Sequence, residues 1–259
     1  MTIRSLLNHG RFPFATAAYR WAADAYWFCR GLLQRLQRRR FEAIRMAQIE
    51  SAIAMSLAYI RDNVEGDIAE FGVLAGTYAM LECRWLAAYG QSRQLHLFDS
   101  WGGHGPLSAT DMGIPEVHSG QWNSERISGQ MPPDELLRRL SKLYTRHLIR
   151  IHQGYFVKTL PDIQRSMRFA LIVIDANLYS STNTVLSYLF SHGHVSEGAV
   201  LLYPGWNTSR ASPNSSAQRA WNEAVEKFKI HYSDEGRYAP KGAKFIVHSY
   251  DTVPSVGGQ

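Results

Sequence analysis

The stretch Gly66-Asp67-Ile68-Ala69-Glu70-Phe71-Gly72-Val73-Leu74-Ala75-Gly76-Thr77 constrains this chain most. An apolar run, Ile68 to Phe71, carries one carboxylate and enters a glycine turn; a helical stretch from Tyr78 to Tyr89 leaves it. Strand, glycine turn and helix in that order open a doubly wound nucleotide site. Gly72 can take a positive φ where a side chain would clash. Gly76 lets the backbone approach a ligand, and a helix start offers unpaired N–H groups. The spacing is E-x-G-x-x-x-G, not the dinucleotide G-x-G-x-x-G. Taken alone it fits a nucleotide site and a turn with packing glycines equally well.

The rest of the chain alternates in the same sense. Residues 41–64 carry apolar side chains at helical spacing (Ile44, Ala47, Ile49, Ile53, Leu57, Ile60), with Gly66 as the stop. Leu95 to Asp99 is a short apolar strand ending in a carboxylate, where a ribose diol would lie in a doubly wound fold. Capping the next element is the other reading of Asp99. Residues 102–133 are rich in glycine and proline and read as a long loop, placed to fold over a strand's carboxyl end. The loop carries His104, Asp111, Glu116, His118 and Trp122. A helix over 134–144 and a strand from Ile149 follow. Leu171-Ile172-Val173-Ile174-Asp175 is the clearest buried parallel strand. A helix from about Asn183, a strand over 198–203, a helix over 217–228 and closing antiparallel strands over 237–248 complete the pattern, with a tail at 251–259.

A net charge of +6 among 259 residues favours an anionic partner. Much of the charge comes from Arg35, Arg38, Arg39 and Arg40, behind an aromatic segment holding Trp21, Tyr26, Trp27 and Phe28. That arm wants cover: first a domain or second subunit, giving a homodimer; then a membrane surface reached through residues 14–40; nucleic acid is set aside for want of any recognition signature. The two cysteines have no metal-like spacing and make no disulfide framework, so a cytoplasmic setting is expected. No run spans a membrane, and no secretory signal is expected. The expected organisation is a helical arm over 1–64, a ligand-binding domain over 65–250 and the tail.

Four pieces together resemble the macrocin O-methyltransferase family: residues 66–76, L-H-L-F-D-S-W-G-G at 95–103, H-Q-G-Y-F at 152–156 and I-D-A-N-L-Y-S-S-T at 174–182. The similarity runs from about Glu42 to His248. It implies an α/β, Rossmann-like class I methyltransferase fold: a mostly parallel sheet with antiparallel closing strands, helices on both faces and extra N-terminal helices. It implies S-adenosylmethionine as cofactor and a small-molecule hydroxyl, on a sugar or glycosylated natural product, as acceptor. It puts Glu70, Gly72 and Gly76 along the methionine part, with Thr77 beside them, and Asp99 on the ribose hydroxyls. Ser100 and Trp101 would lie beside ribose and adenine, and Gly154, Tyr155 and Phe156 would border the adenine.

The resemblance also implies a divalent metal, held by an acid after the fourth strand and an acidic pair after the fifth. Asp175 fills the first position, but Asn177 and Tyr203-Pro204-Gly205-Trp206 stand where the other acids belong. One carboxylate and an amide make a poor site for a hard cation, so no metal or a weak one is expected. A side chain must then act as base. Asp175 comes first, with capping of its turn as the other reading; His104 and His118 follow. His152, His192 and His194 read as structural. The competing functional reading is a cofactor-binding protein that has lost methyl transfer.

Overall fold

In the computed structural model the described residues are 13–105, 107–112 and 131–252, without the side chains of 13–23. The chain divides into two compact units, residues 1–47 and 48–259. One helix, α1, runs Pro13–Asn63. In the first unit its described side chains are almost all solvent-facing, including Trp27 and Phe28.

The second unit is built on a sheet of seven strands in the order β3-β2-β1-β4-β5-β7-β6. The strands are β1 (Asp67–Phe71), β2 (Leu95–Asp99), β3 (Ile149–Gln153), β4 (Phe169–Ile174), β5 (Val195–Tyr203), β6 (His231–Tyr238) and β7 (Gly242–Ser249). The described helices after α1 are α2 (Thr77–Ala88), α3 (Pro133–Leu140), α4 (Phe156–Thr159), α5 (Tyr179–Ser191) and α6 (Ser216–Phe228). β1 to β5 run parallel to one another, whereas β7 runs antiparallel to both β5 and β6. Helices cover both faces. Every residue of β4 is buried, which its six consecutive apolar side chains require. Chain order reverses between β1 and β4, and the connections after these strands diverge there to leave a crevice.

Arg93 fastens the end of α1 to the sheet. Its guanidinium donates to the carbonyls of Ile60 (2.8 Å), Val64 (2.7 Å) and Gly66. The Ile60 carbonyl also accepts the Val64 N–H at 3.1 Å, so the guanidinium adds donors at a helix end whose carbonyls run short of them.

Several boundaries differ from expectation: β5 already starts at Val195, and α1 extends back to Pro13. α5 starts at Tyr179, because Leu178 stays extended and ends the turn earlier. α3 stops at Leu140, and Ser141 to Tyr144 turn away. β6 starts at His231 rather than near 237. Most of its residues face solvent, so no alternation of apolar and polar side chains marks it.

Candidate active site

A cavity of about 570 Å³ opens at the carboxyl ends of β1, β2 and β4. Gly72, Leu74, Asp99, Ser100, His104, Tyr155, Phe156, Asp175, Asn177 and Ser180 are among the residues that line it. The volume lies in the range that takes a cofactor-sized molecule.

Asp99 is the best-anchored group. Its Oδ2 accepts the backbone N–H of Val73 at 2.7 Å and of Leu74 at 3.0 Å. Its Oδ1 accepts the N–H of Trp101 at 2.8 Å. A carboxylate has about four acceptor sites. The three bonds therefore fix its orientation and leave capacity for hydroxyl donors from the cavity. Ser100 closes the same loop, donating to the Gly103 carbonyl at 2.9 Å.

Asp175 faces the cavity at the end of β4, with protein packed against its other sides. Burial pushes its carboxyl up to about 6, and the Asp99 charge adds to the rise. His104 also faces the cavity. Its Nε2 is buried with no partner among the described residues. Burial lowers its pKa, against the pull of Asp111 and Asp99, so the neutral imidazole is favoured. Asp111 ties its loop to the helix edge of the cavity. It accepts the Ser108 hydroxyl at 2.5 Å and the Ser180 N–H, at the start of α5, at 3.3 Å.

A family model described as macrocin O-methyltransferase (TylF) matches residues 41–223, well over half of the chain. The chain belongs to the macrocin O-methyltransferase family. Two solved structures have the same fold. One, of the O-methyltransferase NovP, has 23% identity and a TM-score of 0.62, covering 80% of each chain. The other, of the calicheamicin methyltransferase CalS11, has 17% identity and a TM-score of 0.60, covering 94% of this chain and 89% of that one. No curated protein matches. Membership makes this chain an S-adenosylmethionine-dependent O-methyltransferase.

Of the residues that the family resemblance assigns to the cofactor, Gly72, Asp99, Ser100, Gly154, Tyr155 and Phe156 line the cavity, and Asp175, the first candidate base, lines it with them. Others sit elsewhere. Glu70 is buried behind the cavity, on the strand face that meets α2. Loss of water raises its carboxyl well above the usual range; the nearby Glu82, Asp175 and Asp99 add repulsion. Gly76 has a left-handed φ of 72° at the start of α2, and a β-carbon there would stand 2.3 Å from Leu136 Cδ1. The packing of helix α3 therefore favours a glycine there. Thr77 follows it outside the cavity lining. Trp101 is in the core, its indole N–H donating to the Met131 carbonyl at 3.0 Å.

Glu116, His118 and Trp122 lie outside the described residues. His152 stacks on Phe98 at 4.1 Å between ring centroids and meets His96 at 3.0 Å, a packing role. Ser180, Ser181 and Thr184 line the cavity without having been given a role from sequence, and Asn177, weighed there only as a replacement for a metal-site acid, lines it too. The polar run at 177–184, directly after the most buried strand, is the signal that marks them.

The metal of the family resemblance was tested against these residues. Among the described residues no three His, Cys, Asp or Glu side chains converge on one point. Asp175 and Asn177 present one carboxylate and one amide, and residue 205 has no side chain. That donor set does not fit a hard divalent cation.

Proposed function

We propose that the chain methylates a hydroxyl of a sugar or glycosylated natural product, with Asp175 as the base. The observation that carries this is the shared cavity: Asp99, anchored by backbone N–H groups, and Asp175, whose carboxyl burial raises to about 6, line one space. When bound, S-adenosylmethionine supplies an electrophilic methyl group on a sulfonium centre. Asp99 fits its ribose hydroxyls, and Tyr155 and Phe156 offer adenine an aromatic wall. Asp175 would take the acceptor's hydroxyl proton, and His104 is the second group able to do so. Positioning supplies the rest of the rate.

Titration calorimetry with S-adenosylmethionine, then tritiated methyl transfer to a panel of nucleotide-linked and glycosylated acceptors, tests the reading. Micromolar binding with transfer is the expected result. Binding with no transfer to any acceptor favours a chain that has lost the reaction, which the Tyr203-Pro204-Gly205 sequence motivates.

We further propose a cytoplasmic homodimer covered through the arm. Support comes from the exposed Tyr26, Trp27, Phe28 and Leu33 of the first unit. Light scattering after chromatography tests it; loss of those side chains should give a monomer. A membrane surface is the other cover, and liposome flotation would reveal it.

A further inference from the structure

Helix α5 begins without a cap of its own. Leu178, the residue before it, makes no side-chain cap, and the first turn holds no acid. The first N–H groups of a helix have no intrahelical acceptor. The Ser180 N–H finds one far away in sequence: Asp111 Oδ1, at 3.3 Å, on the loop that leaves β2. Asp111 is fully buried. Its Oδ2 accepts the Ser108 hydroxyl at 2.5 Å. Its own N–H and that of Met112 each donate to the Ser108 carbonyl at 3.0 Å. The acid is thus held in a closed turn and offered to the helix as a unit.

The helix end that receives it is stiff. Tyr179, the first residue of α5, donates its hydroxyl to Glu223 of α6 at 2.5 Å, and the Arg219 guanidinium lies over its ring at 4.4 Å. The loop is built differently. It starts at Asp99, whose Oδ1 accepts the Trp101 N–H, and passes Gly102, Gly103 and Gly105, with Gly103 at a left-handed φ of 77°. Between the two acids, Ser100, Gly103, His104 and Gly105 line the cavity. A β-carbon on Gly105 would stand 3.3 Å from the Tyr155 ring. The loop therefore runs from the Asp99 end of the cavity, past its aromatic wall, to the helix that follows Asp175. A cap within the helix's own chain stays with the helix; a cap carried on a separate loop can be withdrawn.

We propose that Asp111 is a positioning residue: its bond to the start of α5 latches this loop across the cavity, holds His104 there, and opens to let the cofactor exchange. The inference goes beyond the assignment of the base. It rests only on S-adenosylmethionine occupying this cavity.

Two measurements test this on the full chain. The first is the release rate of tritiated S-adenosylmethionine, chased with unlabelled cofactor, from wild type, Asp111→Asn and Asp111→Ala. Losing the cap weakens the latched state, so Asp111→Ala should release the cofactor roughly 3- to 30-fold faster. Asparagine caps a helix about as well as aspartate, so Asp111→Asn should stay within about threefold of wild type. A cap that only supports the helix would lower Tm and leave release unchanged. Wild-type release from the alanine variant, or an asparagine variant as fast as the alanine one, overturns the proposal.

The second measurement needs no variant, and so stands if Asp111→Ala does not fold. Hydrogen exchange of wild type is followed in peptides over 107–112 and 179–182, with and without S-adenosylhomocysteine. Exchange in both should slow by about tenfold or more when the ligand is bound, because the Ser180 N–H is protected only while the latch is shut. Unchanged exchange in either peptide overturns the latch. Failure of wild type to bind S-adenosylmethionine would be a different result: it would sink the methyltransferase reading, and the latch with it.

Discussion

Gly72 and Asp175 meet backbone to backbone: a β-carbon on Gly72 would lie 2.4 Å from the Asp175 carbonyl oxygen, and the Asp175 N–H donates to the Phe71 carbonyl at 2.8 Å. The ends of β1 and β4 are thus locked together at the sheet's reversal point. The lock sets where the Asp175 carboxyl stands relative to the Asp99 loop. Gly72 also has φ of 91°, a region closed to side chains. Gly72→Ala must therefore strain the turn and push β4 away. A loss of roughly 3 kcal/mol or more is expected, read as a fall in Tm, with activity lost beyond what unfolding explains. A variant as stable and active as wild type would remove the lock from the account.

Asp99 couples cofactor binding to the same turn. Asp99→Asn keeps the shape but replaces one carboxylate oxygen by an N–H₂ that cannot accept. A charged acceptor's hydrogen bond contributes about 1.5–3 kcal/mol. Calorimetry should therefore show S-adenosylmethionine affinity falling by roughly 10- to 100-fold. Tm should fall as well, since Val73, Leu74 and Trp101 all donate to this group. Unchanged affinity would mean that the ribose does not lie on β2.

Asp175 should set the acid limb of the rate. Its carboxyl titrates near 6 because burial disfavours the charge. A base works when deprotonated, so kcat/KM should rise with pH through about 6 and level off above it. Asp175→Asn should abolish turnover and spare most of the cofactor affinity. A wild-type rate in that variant would pass the role to His104, whose pKa burial lowers, so that the imidazole is neutral and able to accept the proton.

Chelation is a separate check on the donor set. With one carboxylate and one amide where the metal would sit, EDTA should leave methyl transfer nearly intact. A full loss restored by Mg²⁺ would show that ligands come from elsewhere.

What could be read from sequence was what depends on neighbours along the chain. The aliphatic run of β4, the glycine turn after β1 and the acid closing β2 carry their meaning within a few residues. Gly76, Trp101 and Glu70 did not. Gly76 is set by Leu136, sixty positions later, and Trp101 by the Met131 carbonyl thirty later. Glu70 lies one residue from Phe71 in a strand, so strand geometry sends the two to opposite faces. Which face meets the cavity is decided by the helices laid on the sheet.

The carboxyl pair behind the cavity should make stability fall with pH. Glu82 is fully buried on α2, near Glu70, and both its oxygens lack partners among the described residues. Burial pushes Glu82 up to about 8 from an ordinary 4.5. Its folded pKa thus exceeds its unfolded one. Between those values the folded state binds the extra proton, so stability is whole below pH 4.5 and declines as pH rises to about 8. Glu82→Gln keeps the size and removes the titration. It should match or trail wild type in Tm at pH 5 and exceed it at pH 8.5, by free energy on the order of a few kcal/mol. Because Glu82 is remote from the cavity lining, the cofactor affinity should hold at both pH values. A Tm difference between the two proteins that stays constant with pH would mean that Glu82 ionises normally and that water reaches it behind the sheet.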